Sequence, residues 1–396
     1  MAVMTTVFQQ LQQARKQHAL VNLYQASQEI IYTGYVVALD QTAVVLDTYD
    51  DGGLRDGAVL VTLPVISAVT LSGQDLTNMA FRIKNAQLEQ FIKLTPQPLF
   101  FSPQQLLLPQ LLRQALRQQY FILLNVTTAA GFLEGVVQKI EQEQFTFKVF
   151  DKFDFSQQRV VTLPFSALQI VELQGKELSL AGKFVREVPS RQHCTEIAYT
   201  VPDAITRQLQ LAQQKQQLVM FYTLNDQDSF YVGKVNTLNK TSVVFNLLDM
   251  NGQFGGYILL RLAEIQTLFT QADYLQMMAY FAAVNRERHF TKQPVLNDER
   301  LFDGSTDLFA ALIQQARVLA RVLRVRLRQS TDTFIGIPLQ FDGNLVTLQD
   351  LTIPEAAEDL SAQEPVSFSV ADVGELAFDY LDAYLTERQL KENGAL

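Results

Sequence analysis

Val61-Thr62-Leu63-Pro64 returns as Val161-Thr162-Leu163-Pro164, an offset of 100 residues. The phrase sits inside a wider pattern that recurs along the chain. Apolar residues at helical spacing come first. Five short apolar runs follow, one of them carrying a glycine, and then a second helix. The strand glycines are Gly34, Gly135, Gly233 and Gly336, spaced 101, 98 and 103 residues apart. Self-similarity at a fixed period marks a repeat architecture and takes precedence over local motifs. In a chain of 396 residues this period gives four repeats, each large enough to bury a core. Their expected bounds are 1–94, 102–188, 201–285 and 304–396.

The first repeat predicts a helix from Thr5 or Thr6 to Gln17, with Val7, Leu11 and Ala14 on one face. Strands are expected at Leu20–Tyr24, Ile30–Leu39, Ala43–Tyr49, Ala58–Leu63 and Ile66–Leu71, then a helix over Leu76–Ile92. The second repeat predicts a helix over Leu106–Gln118, five strands between Phe121 and Leu173, and a helix over Leu178–Val185. The third starts with Pro202–Gln216 and ends with Tyr274–Val284. The fourth starts at Ser305, a candidate N-cap, and ends with a helix over Val373–Lys391. Linkers are expected at Thr95–Pro103, Pro189–Thr200 and Asn285–Gly304. A glycine inside a strand marks a bulge or a sharp bend. An aspartate follows it by 16 positions in three repeats (Asp50, Asp151, Asp249) and by 14 in the fourth, Asp350. Turn chemistry explains such aspartates, because their side chains bond nearby backbone N–H groups.

A helix and five strands with a bend glycine in the second strand resemble the Sm-like barrel, a small SH3-like fold. That family places an apolar residue two positions after the glycine, another at five, an acidic one at six and an asparagine at ten. The first repeat has Gly34, Val36, Leu39 and Asp40; the second Gly135, Val137, Ile140 and Glu141. The third has Gly233, Val235, Leu238 and Asn239; the fourth Gly336, Pro338, Phe341 and Asp342. The resemblance implies a mainly β, α+β chain of four tandem five-stranded barrels with flanking helices, their edges either paired into an arc or ring or covered by the added second helix. In the family the asparagine helps hold an RNA base. Here Val44, Phe145, Val243 and Val346 stand in its place, which argues against that role.

Composition narrows the function. Aspartate and glutamate total 41 against 32 lysines and arginines, a net charge of −9, whereas nucleic-acid binders usually carry a basic footprint. One basic stripe stands out: Arg317, Arg321 and Arg324 at helical spacing, then Arg324, Arg326 and Arg328 alternating. It is the candidate anion or RNA site. Its counter-charge lies in the same repeat, with ten Asp/Glu and two Lys/Arg from Leu351 to Leu396. The histidines, His18, His193 and His289, are scattered, and no metal-binding spacing occurs. Cys194, the single cysteine, lies beside His193 in a linker and suits a reducing cytoplasm. Gly252, Gly255 and Gly256 fall between strands, where a phosphate loop would precede a helix. Phe100-Phe101 follow a proline-rich stretch and suggest packing between repeats or a partner contact.

Neither a signal peptide over Met1–Arg15 nor a membrane span is expected. The expectation is a cytoplasmic, non-enzymatic scaffold or protein-interaction protein without cofactor or metal, binding a protein partner or itself. The alternative is an RNA-binding regulator using the barrels and the arginine stripe.

Overall fold

A computed structural model describes residues 2–25, 29–93, 95–127, 131–188, 192–224, 226–328, 330, 332–351 and 364–394. Residues 94, 189–191 and 395–396, which fall within the expected repeat ends and the second linker, lie outside that set.

The chain forms two compact units, Met1–His193 and Cys194–Leu396. In the first unit, α1 (Ala2–Gln17) precedes β1 (Leu20–Gln25), β2 (Ile30–Leu39), β3 (Ala43–Tyr49), β4 (Arg55–Thr62), β5 (Ile66–Thr70) and α2 (Gln74–Leu88). The same order returns as α3 (Leu107–Gln118), β6 (Phe121–Val126), β7 (Phe132–Ile140), β8 (Gln144–Val149), β9 (Arg159–Pro164), β10 (Leu168–Leu173) and α4 (Lys176–Glu187). The second unit opens with a short extra strand, β11 (Ile197–Tyr199). Then come α5 (Pro202–Lys215), β12 (Leu218–Thr223), β13 (Asp226–Leu238), β14 (Ser242–Leu248), β15 (Phe254–Arg261), β16 (Ile265–Gln271) and α6 (Asp273–Glu287). It ends with α7 (Leu308–Val318), β17 (Leu323–Leu327), β18 (Thr333–Phe341), β19 (Leu345–Asp350), β20 (Val366–Ser369), β21 (Val373–Phe378) and α8 (Leu381–Glu392).

The chain is mainly β, but it does not form four closed barrels, and the Sm-like assignment falls with them. Each unit builds one open antiparallel sheet. The orders are β5-β1-β2-β3-β4-β10-β6-β7-β8-β9 and β11-β16-β12-β13-β14-β15-β21-β17-β18-β19-β20. Closure would pair the fourth and fifth strands of one module. Instead β4 pairs with β10 and β15 with β21, each strand taken from the neighbouring module.

Side-chain alternation explains the joint. Val59 and Val61 of β4 enter one core with Val7, Leu11 and Leu23, while Ala58 and Leu60 enter another with Leu111, Phe145 and Phe147. In β15, Ile258 and Leu260 likewise face one core and Tyr257 and Leu259 another. A strand buried on both faces must be apolar at every position, which accounts for these unbroken runs.

The bend glycines have a steric cause. A Cβ on Gly34, Gly135, Gly233 or Gly336 would lie 2.1, 2.0, 2.6 or 2.0 Å from a carbonyl oxygen of the adjacent strand. In every module the register then slips a few residues on, at Val36/Ala38, Val137/Lys139, Val235/Thr237 and Pro338/Gln340. The bulge and the close approach together bend the second strand.

Three sequence expectations shift. The repeated Val-Thr-Leu-Pro phrase is out of structural step: the 3-10 turn after the fourth strand begins at Leu63 in one module and at Phe165 in the other. Val373–Phe378 is a strand, not the start of a helix, and is buried at every position. The fourth-repeat helix is capped by Asp307, which accepts from the N–H groups of Phe309 and Ala310, and not by Ser305.

Candidate functional site

The residues at the family's acidic position close hairpins. The Asp40 carboxylate accepts from the N–H groups of Thr42 and Ala43, Asn239 from those of Thr241 and Ser242, and Asp342 from those of Asn344 and Leu345. Val44, Phe145, Val243 and Val346, at the asparagine position, are core residues.

The second set of aspartates also serves turns. Asp50 accepts from Gly52 and Leu54, Asp151 from Phe153 and Asp154, and Asp249 from Asn251 and Gln253. Burial pushes the Asp50 carboxyl up to about 7, against the lowering effect of the Leu54 N–H. Asp350 does not belong to this set. It ends β19 opposite Gly336, the place held by Thr48 opposite Gly34 and by Leu247 opposite Gly233. The position matching Asp50 is 352, outside the described residues.

The structure spreads the arginine stripe over α7, a loop and β17, and pairs most of it internally. Arg317 donates to the side chain of Gln314. Arg321 contacts Glu387 at 3.1 Å and Asp379 at 3.3 Å. Arg324 lies 2.8 Å from Glu375 and also donates to the Tyr231 hydroxyl. Arg326 reaches the second oxygen of Glu375 at 3.8 Å, and Arg328 lies 3.0 Å from Glu264. Glu375 and Glu264 are nearly buried, with side chains 4% and 7% exposed, so these guanidinium groups neutralise interior carboxylates. Burial first, and then Glu375, push the Tyr231 hydroxyl up to about 12.

The first unit has its own internal network. Tyr32 of β2 donates to Glu172 of β10, and Lys152 bridges Glu134 and Glu177 at 2.9 Å each. Burial raises the pKa of Glu172, as it does that of Glu134.

The remaining candidates are not brought together as a catalytic set. His18 and His289 end helices in left-handed backbone, φ 50 and 58°, and His18 stacks on Tyr35. His193 Nδ1 lies 3.3 Å from Asp154. The Cys194 N–H donates to Asp273, and burial, then the Asp273 hydrogen bond, raise the thiol pKa, the opposite of nucleophile activation. Gly252 takes φ 71° in a turn under α6, where a Cβ would meet Phe281 at 2.6 Å. Phe101 packs on the first unit's core, whereas Phe100 is 75% exposed. Among the described residues no helix is long and apolar enough to cross a membrane.

One feature escaped the sequence reading. β11, a three-residue strand inside an expected linker, adds to the outer edge of β16, pairing Ala198 with Phe269 and Tyr199 with Leu268. Tyr199 packs against the core under that edge. The matching edge in the first unit is β5, where Val69 pairs with Leu23 as Leu268 pairs with Phe221. Among the described residues β5 pairs with β1 alone and ends its sheet. Three apolar residues between Pro189 and Pro202 are too short a run to read as a strand. The chain matches no protein-family model and no curated protein.

Proposed function

We propose that the protein is a cytoplasmic, non-enzymatic interaction scaffold that takes up an extended segment of a protein partner on the outer edge of β5. The observation that carries this is β11. The chain's own second unit holds a short extended segment on β16, and the equivalent edge in the first unit is unpaired among the described residues. An open edge offers a row of backbone donors and acceptors, and strand addition satisfies them with little demand on side-chain identity. The RNA alternative is less well supported, because Arg321, Arg324, Arg326 and Arg328 already neutralise carboxylates of their own unit.

The test uses a synthetic peptide copying residues 195–201, titrated onto the full chain with hydrogen exchange as the readout. New protection confined to Val69–Ser72 is expected. Saturating peptide that leaves Val69–Ser72 unprotected would refute the proposal. Tight, salt-dependent binding of single-stranded RNA that is lost on Arg324→Glu with Arg326→Glu would favour the alternative.

A further inference from the structure

A cleft of about 830 Å³ runs along α6 in the second unit. One wall is Leu275, Ala279, Ala282 and Arg286 of the helix; the other is Lys234 of β13 with Asn246 and Leu248 of β14. Its size falls within the range of small-molecule sites, roughly 300–1,000 Å³. The polar wall is rigid. Asn246 donates to the backbone carbonyl of Asp298, and Asn236 to the side chain of Asn246 and to the carbonyl of Arg300.

The charge lining this cleft runs against the chain as a whole. The molecule carries nine excess negative charges, yet the cleft gathers Lys234 and Arg286. Among the described residues Asp298 is the one carboxylate in the lining, and Lys292 holds it in an ion pair. Among the described residues neither Lys234 nor Arg286 has an ion-pair partner. Burial and the nearby Arg286 lower the Lys234 pKa. Three arginines elsewhere in this unit show the contrast: Arg321, Arg324 and Arg328 each face a carboxylate.

We propose that this cleft binds a small organic phosphate, with the dianionic group between Lys234 and Arg286 and an apolar body along Leu275, Ala279 and Leu248. A phosphate monoester carries about −1.5 to −2 at neutral pH and matches two unpaired cations. Arg286 offers a planar fork for two of its oxygens, and Lys234 a point charge for the third. The apolar wall favours a phosphate attached to carbon over the free ion.

Calorimetric titration of the full chain with phenyl phosphate, inorganic phosphate and benzoate tests this. Phenyl phosphate is expected to saturate one site and to bind more tightly than the other two. Lys234→Gln and Arg286→Gln are each expected to weaken it by roughly 10- to 100-fold, the loss of one charge-assisted contact, while Lys234→Arg retains binding. Unchanged urea midpoints in the variants separate lost contact from lost fold. Three results would overturn the proposal: no saturation by about 10 mM, a limit far weaker than such contacts imply; equal affinity in both glutamine variants and the wild type; or benzoate binding as tightly as phenyl phosphate.

Discussion

Glu375→Gln removes one negative charge from the joint between the two modules of the second unit and leaves the side-chain shape intact. Glu375 is 4% exposed and faces Arg324 at 2.8 Å and Arg326 at 3.8 Å, whose side chains are 30% and 15% exposed. Breaking a fully buried pair costs about 3–5 kcal/mol, because the surviving charge has no partner, while an exposed pair contributes about 1 kcal/mol or less. With a buried carboxylate and half-buried guanidinium groups, the cost expected here is about 2–4 kcal/mol. At a urea slope of roughly 2–3 kcal/mol per molar, the unfolding midpoint of the second unit falls by about 1 M. The chain has no tryptophan, so the assay is far-UV circular dichroism, with hydrogen exchange to locate the loss at β17 and β21. A cycle with Arg324→Gln should show a coupling of about 1–3 kcal/mol. A cost below about 0.5 kcal/mol, or strict additivity of the two changes, would refute the claim that these arginines serve the fold.

Other substitutions probe the bend, the turn and the thiol. Gly336→Ala, with its Cβ 2.0 Å from the Gln349 oxygen, should destabilise by about 2 kcal/mol or more. Gly233→Ala, at 2.6 Å from the Asn246 oxygen, should cost less in the same urea titration; the reverse order would contradict the steric account. Asp50 has its folded pKa raised to about 7, so its stabilising contribution is complete below its unfolded value near about 4 and is lost as pH rises through about 7. Asp50→Asn should therefore narrow the loss of first-unit stability between about pH 4 and 7, and an unchanged slope would count against the raised pKa. Cys194 should alkylate more slowly with iodoacetamide than a free cysteine at neutral pH, and Asp273→Asn should speed it; a wild-type rate equal to the free thiol would contradict the raised pKa.

The modules were legible because their constraints are local. Gly34, Gly135, Gly233 and Gly336 answer to one carbonyl each in the neighbouring strand, and Asp50, Asp151 and Asp249 to the N–H groups of their own turns. What joins the modules was not legible. Nothing within β4 names β10 as its partner. The joint shows only as burial on both faces, and such a run also reads as a helix, as happened at Val373–Phe378. The arginine stripe misled for the same reason. Arg324 and Arg326 alternate correctly along β17, but Glu375 is about fifty residues away and meets them only through β21.

The edge of the second module explains why the first sheet stops at two modules. In β3 the face toward the second module is Ala43 and Val45, both buried in the shared core. The register against the bend glycine places Gln144 and Thr146 of β8 at those positions, and neither is buried. β9, the counterpart of β4, keeps only Leu163 buried and leaves Val160 57% exposed. A further module docking there would have to bury the hydroxyls of Thr146 and Thr162 and the Gln144 amide together with the Glu141 carboxylate it donates to, and each polar group left unsatisfied costs roughly 1–3 kcal/mol. In the second unit only one of the two positions changes this way: Val244 of β14 gives way to Thr347 of β19, whereas Ser242 gives way to Leu345 in the same register. A short segment adding along β5 makes no such demand, since its backbone bonds to the edge and it covers little more than one side chain's worth of the core, as Tyr199 does on β16. The polar replacements on β8 and β9 thus oppose growth by whole modules, while among the described residues the edge that β16 fills with β11 has no added strand in β5.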